Sequence, residues 1–249
     1  MSSEATEALI AQLDAVDESP GAGALRARSY ELLGVARGAP VVDVGCGAGR
    51  AVAELADRGV PVLGIDVSDQ MIALARERWP GGEFRVGDAY ALPLGDGEAA
   101  GYRADKVIHA LADPRRALGE ARRVLATGGR IVVCGQDWDT FVTDSSDPEL
   151  TRTIVARRAD QVPSPRAARQ YRNLLLDSGF RDVTVEVHTG VFTDGSFLPV
   201  LTRLAEVCRE RGAITPAEAD RWIADQRERA GTDRLFAAVP FFMAAATSP

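Results

Sequence analysis

The chain has few of the residues that define several classes of protein. Only 3 cysteines occur in 249 residues. Their wide spacing and odd number, at Cys46, Cys134 and Cys208, predict reduced thiols in a cytoplasmic protein rather than a disulfide framework. No run of about 18 apolar residues is present, so no membrane span is predicted. The first residues have no basic region followed by an apolar one, so we expect no secretory signal.

Basic residues are also outnumbered. Lys and Arg total 29 against 36 Asp and Glu, which gives a net charge of −7 and a pI of about 5.0. This balance argues against electrostatic binding to nucleic acid or to an anionic membrane. The composition, 46% hydrophobic and 26% charged, is that of an ordinary globular protein. The length suits one large α/β domain or two small ones.

The sequence does contain a glycine-rich loop directly after a short apolar run. Residues 41–44 have the composition of a strand that is buried on both faces. Gly45, Gly47 and Gly49 follow, and a helical periodicity then runs as far as Gly59. Strand, glycine loop and helix are the first parts of a nucleotide-binding βαβ unit, because glycine lets the backbone bend with positive φ and lets a ligand approach.

Two acidic residues follow the next two predicted strands. The apolar run at 61–66 ends in Asp66, where a nucleoside ribose presents its hydroxyls to a carboxylate. The run at 83–86 leads to Asp88, which is placed to accept a hydrogen bond from an exocyclic amine such as adenine N6. Ligands of open parallel sheets bind at this edge. The pattern therefore predicts a nucleoside cofactor.

The spacing of the loop distinguishes between cofactors. A dinucleotide fold uses Gly-x-Gly-x-x-Gly, whereas here the spacing is Gly-x-Gly-x-Gly and Arg50 stands at the third dinucleotide position. Asp43 lies just before the loop, where a carboxylate suits an ammonium group better than a pyrophosphate. These features favour S-adenosylmethionine over a nicotinamide dinucleotide.

The remaining periodicity predicts an alternating α/β chain. Predicted helices cover 4–16, 24–33 after a break at Ser19-Pro20-Gly21, 50 to Gly59, Ser68 or Asp69 to Pro80, a segment capped by Asp105, Asp113 to Gly128-Gly129, 148–160, 165–178, 198–211 and 216–230. Predicted strands cover 41–44, 61–66, 83–86, 99–104, 130–134, 183–188 and 235–243, the last bent at Pro240.

Residues 40–134 resemble the class I S-adenosylmethionine-dependent methyltransferases, in the small-molecule group that includes ubiquinone/menaquinone-biosynthesis and many natural-product methyltransferases. The matching motifs are residues 42–49, 64–68 with Met71, 87–89, 91–93, 121–125 and 128–130. One motif departs from the family, because Ala99-Ala100-Gly101-Tyr102 replaces the usual Phe-Asp-x-Val and loses an acid that braces the fourth strand.

The resemblance implies a Rossmann-like α/β fold. Its sheet has seven mostly parallel strands with helices on both faces, and the last strand is antiparallel between the fifth and the sixth. We expect a single domain over 1–249, with an N-terminal helical cap at 1–34. Helical insertions at 139–178 and 196–230 would form the lid and the walls of the substrate pocket.

The resemblance also implies a set of cofactor contacts. The loop glycines would flank the methionine part of S-adenosylmethionine, Asp66 would hold the ribose, and Val67 and Met71 would pack on the adenine. S-adenosylhomocysteine would be the product. The predicted cofactor-binding residues are Asp43, Gly45, Cys46, Gly47, Gly49, Asp66, Val67, Met71, Gly87, Asp88, Ala89 and Ala104.

The sequence gives candidate residues, but no complete motif, for catalysis and acceptor binding. Methyl transfer mainly needs alignment, and His109 is the candidate base if the acceptor must lose a proton; His188 is interpreted as structural. The candidate pocket residues for a small, aromatic or apolar acceptor are Tyr30, Asp137, Trp138, Phe141 and Tyr171. We expect no metal, although Asp105 and Asp137 with Gln136 are placed as in metal-dependent methyltransferases.

Three alternatives remain open. One is a protein of this fold that binds the cofactor but catalyses another reaction, such as a cyclisation, or has a regulatory binding role. The second is a metal-dependent O-methyltransferase, and the third is a nicotinamide oxidoreductase, against which Arg50 argues. The atom that receives the methyl group and the oligomeric state are not predicted.

Overall fold

The computed structural model describes residues 20–249, so the helix predicted at 4–16 lies outside the described residues. The chain divides into two compact units. The sheet unit consists of Arg28–Asp137, Pro163–His188 and Phe241–Pro249, and the helical unit of Trp138–Val162 and Thr189–Pro240 together with residues 20–27. The segment at 163–178, predicted as part of an insertion, thus belongs to the sheet unit.

The sheet unit alternates strands and helices. Its elements are the end of α1 (Pro20–Leu33), β1 (Val41–Val44), α2 (Arg50–Asp57), β2 (Val62–Asp66), α3 (Asp69–Arg78), β3 (Glu83–Val86), β4 (Ala99–Asp105), a 3-10 turn (Ile108–Ala110), α4 (Pro114–Val124), β5 (Leu125–Gln136), α6 (Ala167–Asp177), most of β7 (Arg181–Phe192) and most of β8 (Ala237–Thr247). The helical unit contains β6 (Val142–Thr143), α5 (Pro148–Ala159), α7 (Leu198–Glu210) and α8 (Pro216–Gly231).

The predicted position of the last strand, between the fifth and sixth predicted strands, is confirmed, although the sheet has eight strands rather than seven. The strands run β3-β2-β1-β4-β5-β8, and β7 also pairs with β8. The first five strands are parallel, and β8 is antiparallel to β5, from Arg130 opposite Thr247 to Gln136 opposite Phe241. Because parallel strands end at one edge, the loops after β1, β2 and β3 lie together there.

The two faces of the central strands differ in character. Val42 and Val44 of β1, with Tyr102 and Ala104 of β4, belong to a hydrophobic cluster that α4 and α6 complete. Residues alternate between faces along a strand, so Asp43 lies on the other face of β1. The sheet therefore carries a charged residue at its centre, on the face opposite its main core.

Two helices of the sheet unit begin where the sequence predicts. Ser68 caps α3 by accepting a hydrogen bond from the Met71 amide at 3.3 Å. Asp113 caps α4 by accepting one from the Arg116 amide at 3.1 Å, and Pro114 is the first helical residue. Both positions follow the usual chemistry of helix starts.

Three local predictions are wrong. Helix α1 begins at Pro20 rather than at residue 24, as the fixed φ of proline permits at a first helical position; the end of the helix predicted before it lies outside the described residues. Asp105 caps no helix; it ends β4 and pairs with Arg103. Helix α4 ends at Val124 and β5 begins at Leu125, before the glycines at 128 and 129.

The helical unit contains α5 (Pro148–Ala159), α7 (Leu198–Glu210) and α8 (Pro216–Gly231), near the predicted bounds. It also contains an unpredicted two-residue strand, β6 (Val142–Thr143), which pairs with Ala237 and Ala238. A capping box starts α8: Thr215 accepts from the Glu218 amide, and the Glu218 carboxylate accepts from the Thr215 amide. None of the helices between residues 20 and 249 has the length and apolar character that crossing a membrane requires.

Candidate functional site

The glycine loop has two kinds of glycine. Gly45 and Gly47 both have positive φ, 69° and 53°, a conformation that side chains disfavour. A Cβ at Gly45 would lie 2.2 Å from Cγ2 of Val107, whereas a Cβ at Gly47 would have no atom within 4 Å. Gly45 therefore serves packing, and Gly47 leaves open space above the loop. Gly49 is also a packing glycine, because its Cβ would lie 2.7 Å from the Phe84 ring.

Asp66 is fixed at the tip of β2 by backbone amides. Its Oδ2 accepts a hydrogen bond from the Gly47 amide at 3.0 Å, and its Oδ1 accepts one from the Ser68 amide at 2.9 Å. Each carboxylate oxygen can accept more than one hydrogen bond. The half-buried Asp66 carboxylate thus stands beside the open glycine with capacity for a diol.

The residues after β2 and β3 complete this edge of the sheet. Val67 is 76% exposed although it is apolar, and Met71 is half-buried. Asp88 is exposed, and its Oδ1 accepts a hydrogen bond from the Tyr90 amide at 2.9 Å. An exposed apolar side chain suits the face of a nucleoside base, and an exposed carboxylate at the same edge of the sheet suits its amine.

Other predicted cofactor residues have buried side chains. Cys46 is buried, and burial raises the pKa of its thiol. Ala89 and Ala104 lie in the hydrophobic cluster, so their side chains face the core. Gly87 is needed for packing, since its Cβ would lie 2.9 Å from Cγ2 of Ile65. At these positions only the backbone remains for contact with a ligand.

Asp43 lies beneath the loop and is paired with a residue that the sequence analysis missed. Oδ1 of Asp43 accepts a hydrogen bond from Nη1 of Arg103 at 2.8 Å, and both side chains are buried. Oδ2 of Asp43 has no hydrogen-bond partner among residues 20–249. Burial raises the pKa of Asp43, and Arg103 opposes this shift.

Taken together, these groups fit a nucleoside with a cationic tail. Asp66 offers carboxylate oxygens for the ribose, Val67 offers an apolar surface, and the space at Gly47 admits a ligand close to the backbone. The unpartnered Oδ2 of Asp43 suits a donor such as an ammonium group, because a buried acceptor without a partner is costly.

His109, the candidate base, is buried in the 3-10 turn that follows β4. Its backbone carbonyl accepts a hydrogen bond from the Ser164 amide at 2.9 Å. A Cβ at Gly135 of β5 would lie 2.8 Å from the Tyr171 hydroxyl and 3.7 Å from Nδ1 of His109. The glycine therefore brings His109 and Tyr171 together at the carboxyl end of β5.

Tyr171 is a core residue with a polar end. Its side chain is fully buried in the hydrophobic cluster, and no described residue forms a hydrogen bond with its hydroxyl. Burial raises the pKa of this phenol well above its ordinary value. His188, interpreted as structural, lies in β7 with Nε2 at 3.0 Å from Oε2 of Glu186.

Two predicted pocket residues have structural partners in the sheet unit. The Tyr30 hydroxyl donates to Oε2 of Glu54 at 2.9 Å, and the Tyr30 side chain is buried. Asp137 is fully buried and accepts hydrogen bonds from Nε and Nη2 of Arg169, the latter at 2.7 Å. The Tyr30 hydroxyl and the Asp137 carboxylate therefore both already have hydrogen-bond partners within the protein.

The two carboxylates considered as metal ligands, Asp105 and Asp137, are both paired with arginines. Asp105 accepts from Nη2 of Arg103 at 3.0 Å, as Asp137 accepts from Arg169. Burial acts to raise the pKa of Asp105, but Lys106 and Arg103 bring it below its ordinary value. Within residues 20–249, no group of three or more His, Cys, Asp or Glu side chains is arranged to hold a metal ion.

Trp138 and Phe141 belong to the helical unit. Their rings stack with centroids 5.5 Å apart and an interplanar angle of 18°. The Arg158 guanidinium lies 4.3 Å from the centroid of the Trp138 ring. The two aromatic residues thus form a half-buried, cation-covered stack.

Residues 42–133 match the family model described as a methyltransferase domain. An uncharacterized 37.1 kDa protein in transposon TN4556 of Streptomyces fradiae is 36% identical over 242 residues, which cover 93% of this chain and 62% of that protein. The O-methyltransferase cnsE of Penicillium expansum is 34% identical over 162 residues, covering 61% of this chain and 56% of that protein. The chain thus spans less than two thirds of the length of these relatives.

The fold has solved counterparts. Phosphoethanolamine N-methyltransferase 2 of Haemonchus contortus, in complex with S-adenosyl-L-methionine, superposes with a TM-score of 0.60 at 20% identity, covering 93% of this chain and 54% of that chain. At this level of identity the likeness concerns the fold.

Proposed function

We propose, from the match of residues 42–133 to the methyltransferase domain model, that the chain transfers a methyl group from S-adenosylmethionine to a small-molecule acceptor. The observation that carries the proposal is the open, positive-φ Gly47 beside the amide-held carboxylate of Asp66. A similar fold in Haemonchus contortus holds the same cofactor, which supports this assignment.

Each part of the cofactor has a proposed partner. Asp66 would accept hydrogen bonds from the ribose hydroxyls, Val67 and Met71 would pack on the adenine, and Asp88 would accept from its exocyclic amine. Oδ2 of Asp43 would accept from the ammonium group of the amino-acid tail. When bound, the cofactor supplies a methyl group on a sulfonium centre, whose thioether leaving group needs no proton.

The chain would contribute mainly alignment. The acceptor would lie at the carboxyl ends of β4 and β5, where His109 and Tyr171 approach Gly135. If the acceptor is a hydroxyl group, His109 would take its proton as the methyl group is transferred. Oxygen is our proposed target, since the relative cnsE is named an O-methyltransferase.

We propose that the reaction needs no metal ion. Asp105 and Asp137, the carboxylates placed as in metal-dependent methyltransferases, are held by Arg103 and Arg169. A cation there would have to displace both arginines. The buried free thiols of Cys46, Cys134 and Cys208 support a reducing, cytoplasmic setting.

The first test is calorimetric titration with S-adenosylhomocysteine. We expect Asp66→Asn to raise the Kd by about 10- to 100-fold, the scale of a lost charge-assisted hydrogen bond. Asp69→Asn is the matched control, since Asp69 is an exposed acid in the first turn of α3, and it should bind as the wild type does. Absence of binding to the folded wild type would contradict the proposal.

The second test identifies the chemistry. Candidate phenols and other hydroxylated metabolites would be incubated with S-adenosylmethionine and a metal chelator, and the products would be analysed by mass spectrometry. A product heavier by one methylene group supports methyl transfer, whereas a product with the mass of its substrate would indicate a cyclisation or another isomerisation.

A further inference from the structure

Arg103 is a buried cation in the middle of the central strand β4. Its side chain is 4% exposed. Nη1 donates to Oδ1 of Asp43 at 2.8 Å, Nη2 to Oδ2 of Asp105 at 3.0 Å, and Nε to Oγ of Ser29 at 3.0 Å. The guanidinium group thus links β1, the end of β4 and helix α1.

The backbone fixes this arrangement. Asp43 and Arg103 are register partners in the parallel pair of β1 and β4, so the sheet itself sets the distance between them. A planar guanidinium with three engaged nitrogen atoms has little freedom to rotate. Oδ1 of Asp43 is therefore held in one position, and this also orients the carboxylate as a whole.

The second carboxylate oxygen of Asp43 does not take part in this network of hydrogen bonds. Oδ2 is buried, yet no residue in the described part of the chain forms a hydrogen bond with it. A buried ion pair with one unsatisfied acceptor contributes little to stability, and apolar residues of similar volume often serve a fold as well. We therefore expect the pair of Asp43 and Arg103 to have a role other than stabilising the fold.

We infer that Arg103 is a positioning residue that holds Asp43 ionised and oriented for the ammonium group of the cofactor's amino-acid tail. The inference rests on the proposed function. Arg103 itself would not touch the cofactor; it would act through Asp43. Without Arg103, the buried Asp43 would take up a proton and lose its attraction for a cation.

The test compares two probes that share an adenosine. S-adenosylhomocysteine carries the amino-acid tail, and 5′-methylthioadenosine lacks it. For Arg103→Met, we expect the calorimetric Kd for S-adenosylhomocysteine to rise at least about tenfold, while that for 5′-methylthioadenosine stays near the wild-type value. A merely structural role would weaken both probes together.

Arg130→Met is the matched control. Arg130 is a half-buried arginine of β5 that donates to Oγ1 of Thr247 at 2.8 Å and to the Leu32 carbonyl at 3.1 Å, so it also links a strand to α1. We expect this variant to bind both probes as the wild type does.

Two further variants guard against a loss of folding. Arg103→Lys keeps the charge but cannot reach three acceptors at once, so S-adenosylhomocysteine alone should bind more weakly. Arg103→Met combined with Asp43→Asn removes both charges and should recover thermal stability without recovering affinity for that probe.

Unchanged affinity of a folded Arg103 variant for S-adenosylhomocysteine would overturn the inference, and so would an equal loss for both probes. If the wild type binds 5′-methylthioadenosine but not S-adenosylhomocysteine, the tail site is absent and the inference also fails. If the folded wild type binds neither probe, the proposed function itself fails.

Discussion

The two kinds of glycine in the loop predict different consequences of the same substitution. Gly47→Ala places a methyl group in open space at φ 53°, so its cost to folding is limited to the left-handed backbone, about 1 kcal/mol. In a chain of this size that cost lowers the Tm by about 2–4 °C. The new methyl group would nevertheless occupy the space proposed for the cofactor. We therefore expect affinity for S-adenosylhomocysteine to fall by more than about tenfold, or 1.4 kcal/mol.

Denaturant unfolding and calorimetric titration measure the two effects separately. Gly38→Ala is the matched control, because Gly38 has φ 81° and a Cβ there would also have no atom within 4 Å, yet this glycine lies in the connection before β1. The control variant should lose similar stability and keep its affinity. Gly45→Ala should instead lose roughly 1–3 kcal/mol more stability through contact with Val107. Wild-type affinity in Gly47→Ala would refute the reasoning.

Two further predictions concern stability. Tyr171→Phe removes a buried hydroxyl that no described residue pairs, so we expect the free energy of unfolding to rise by about 1 kcal/mol; Tyr30→Phe, which loses the bond to Glu54, should lower it. Hydrogen bonds from Arg28 and, to a smaller extent, His188 lower the pKa of Glu186 from 4.5 to about 2, so these interactions stabilise the fold above pH 4.5 and are lost as the pH falls towards 2. Glu186→Gln should thus cost about 0.5–1 kcal/mol at pH 7 in urea unfolding, and much less near pH 2; an equal cost at both would contradict the assignment.

The strands and turns around the glycine loop could be predicted because their signals are close together in the sequence. The apolar run of β1, the loop glycines and the acid at the tip of β2 lie in one short stretch of the sequence, so their spacing can be recognised directly. The Ser68 cap and the Asp113 cap are fully local, because each side chain binds an amide three residues further on. At Gly45 and Gly49 the sequence shows the glycine but not the distant side chains, Val107 and Phe84, that also require it.

The partners of the residues proposed to line the acceptor site could not be predicted as well, because these contacts are distant in sequence. Asp137 was expected to face a pocket, but Arg169 binds it across 32 positions. Tyr30 was expected to reach a ligand, but Glu54 of the helix after the glycine loop takes its hydroxyl. The short strand β6 exists only because β8 supplies its partner, and two residues carry no periodicity that predicts a strand.

Arg103 was not predicted as a functional residue, although the sequence contained a signal for its pairing with Asp43. A carboxylate in a strand that is buried on both faces needs a partner, since an isolated buried charge is too costly. Among the predicted neighbouring strands, β4 contains a single basic residue, Arg103, in an otherwise apolar run. From the sequence, Asp43 was assigned only to the ammonium group of a ligand, and the need for a cation within the protein was therefore overlooked. In the structure the two oxygens of Asp43 differ: Oδ1 accepts a hydrogen bond from Arg103, and Oδ2 is available to accept one from a ligand.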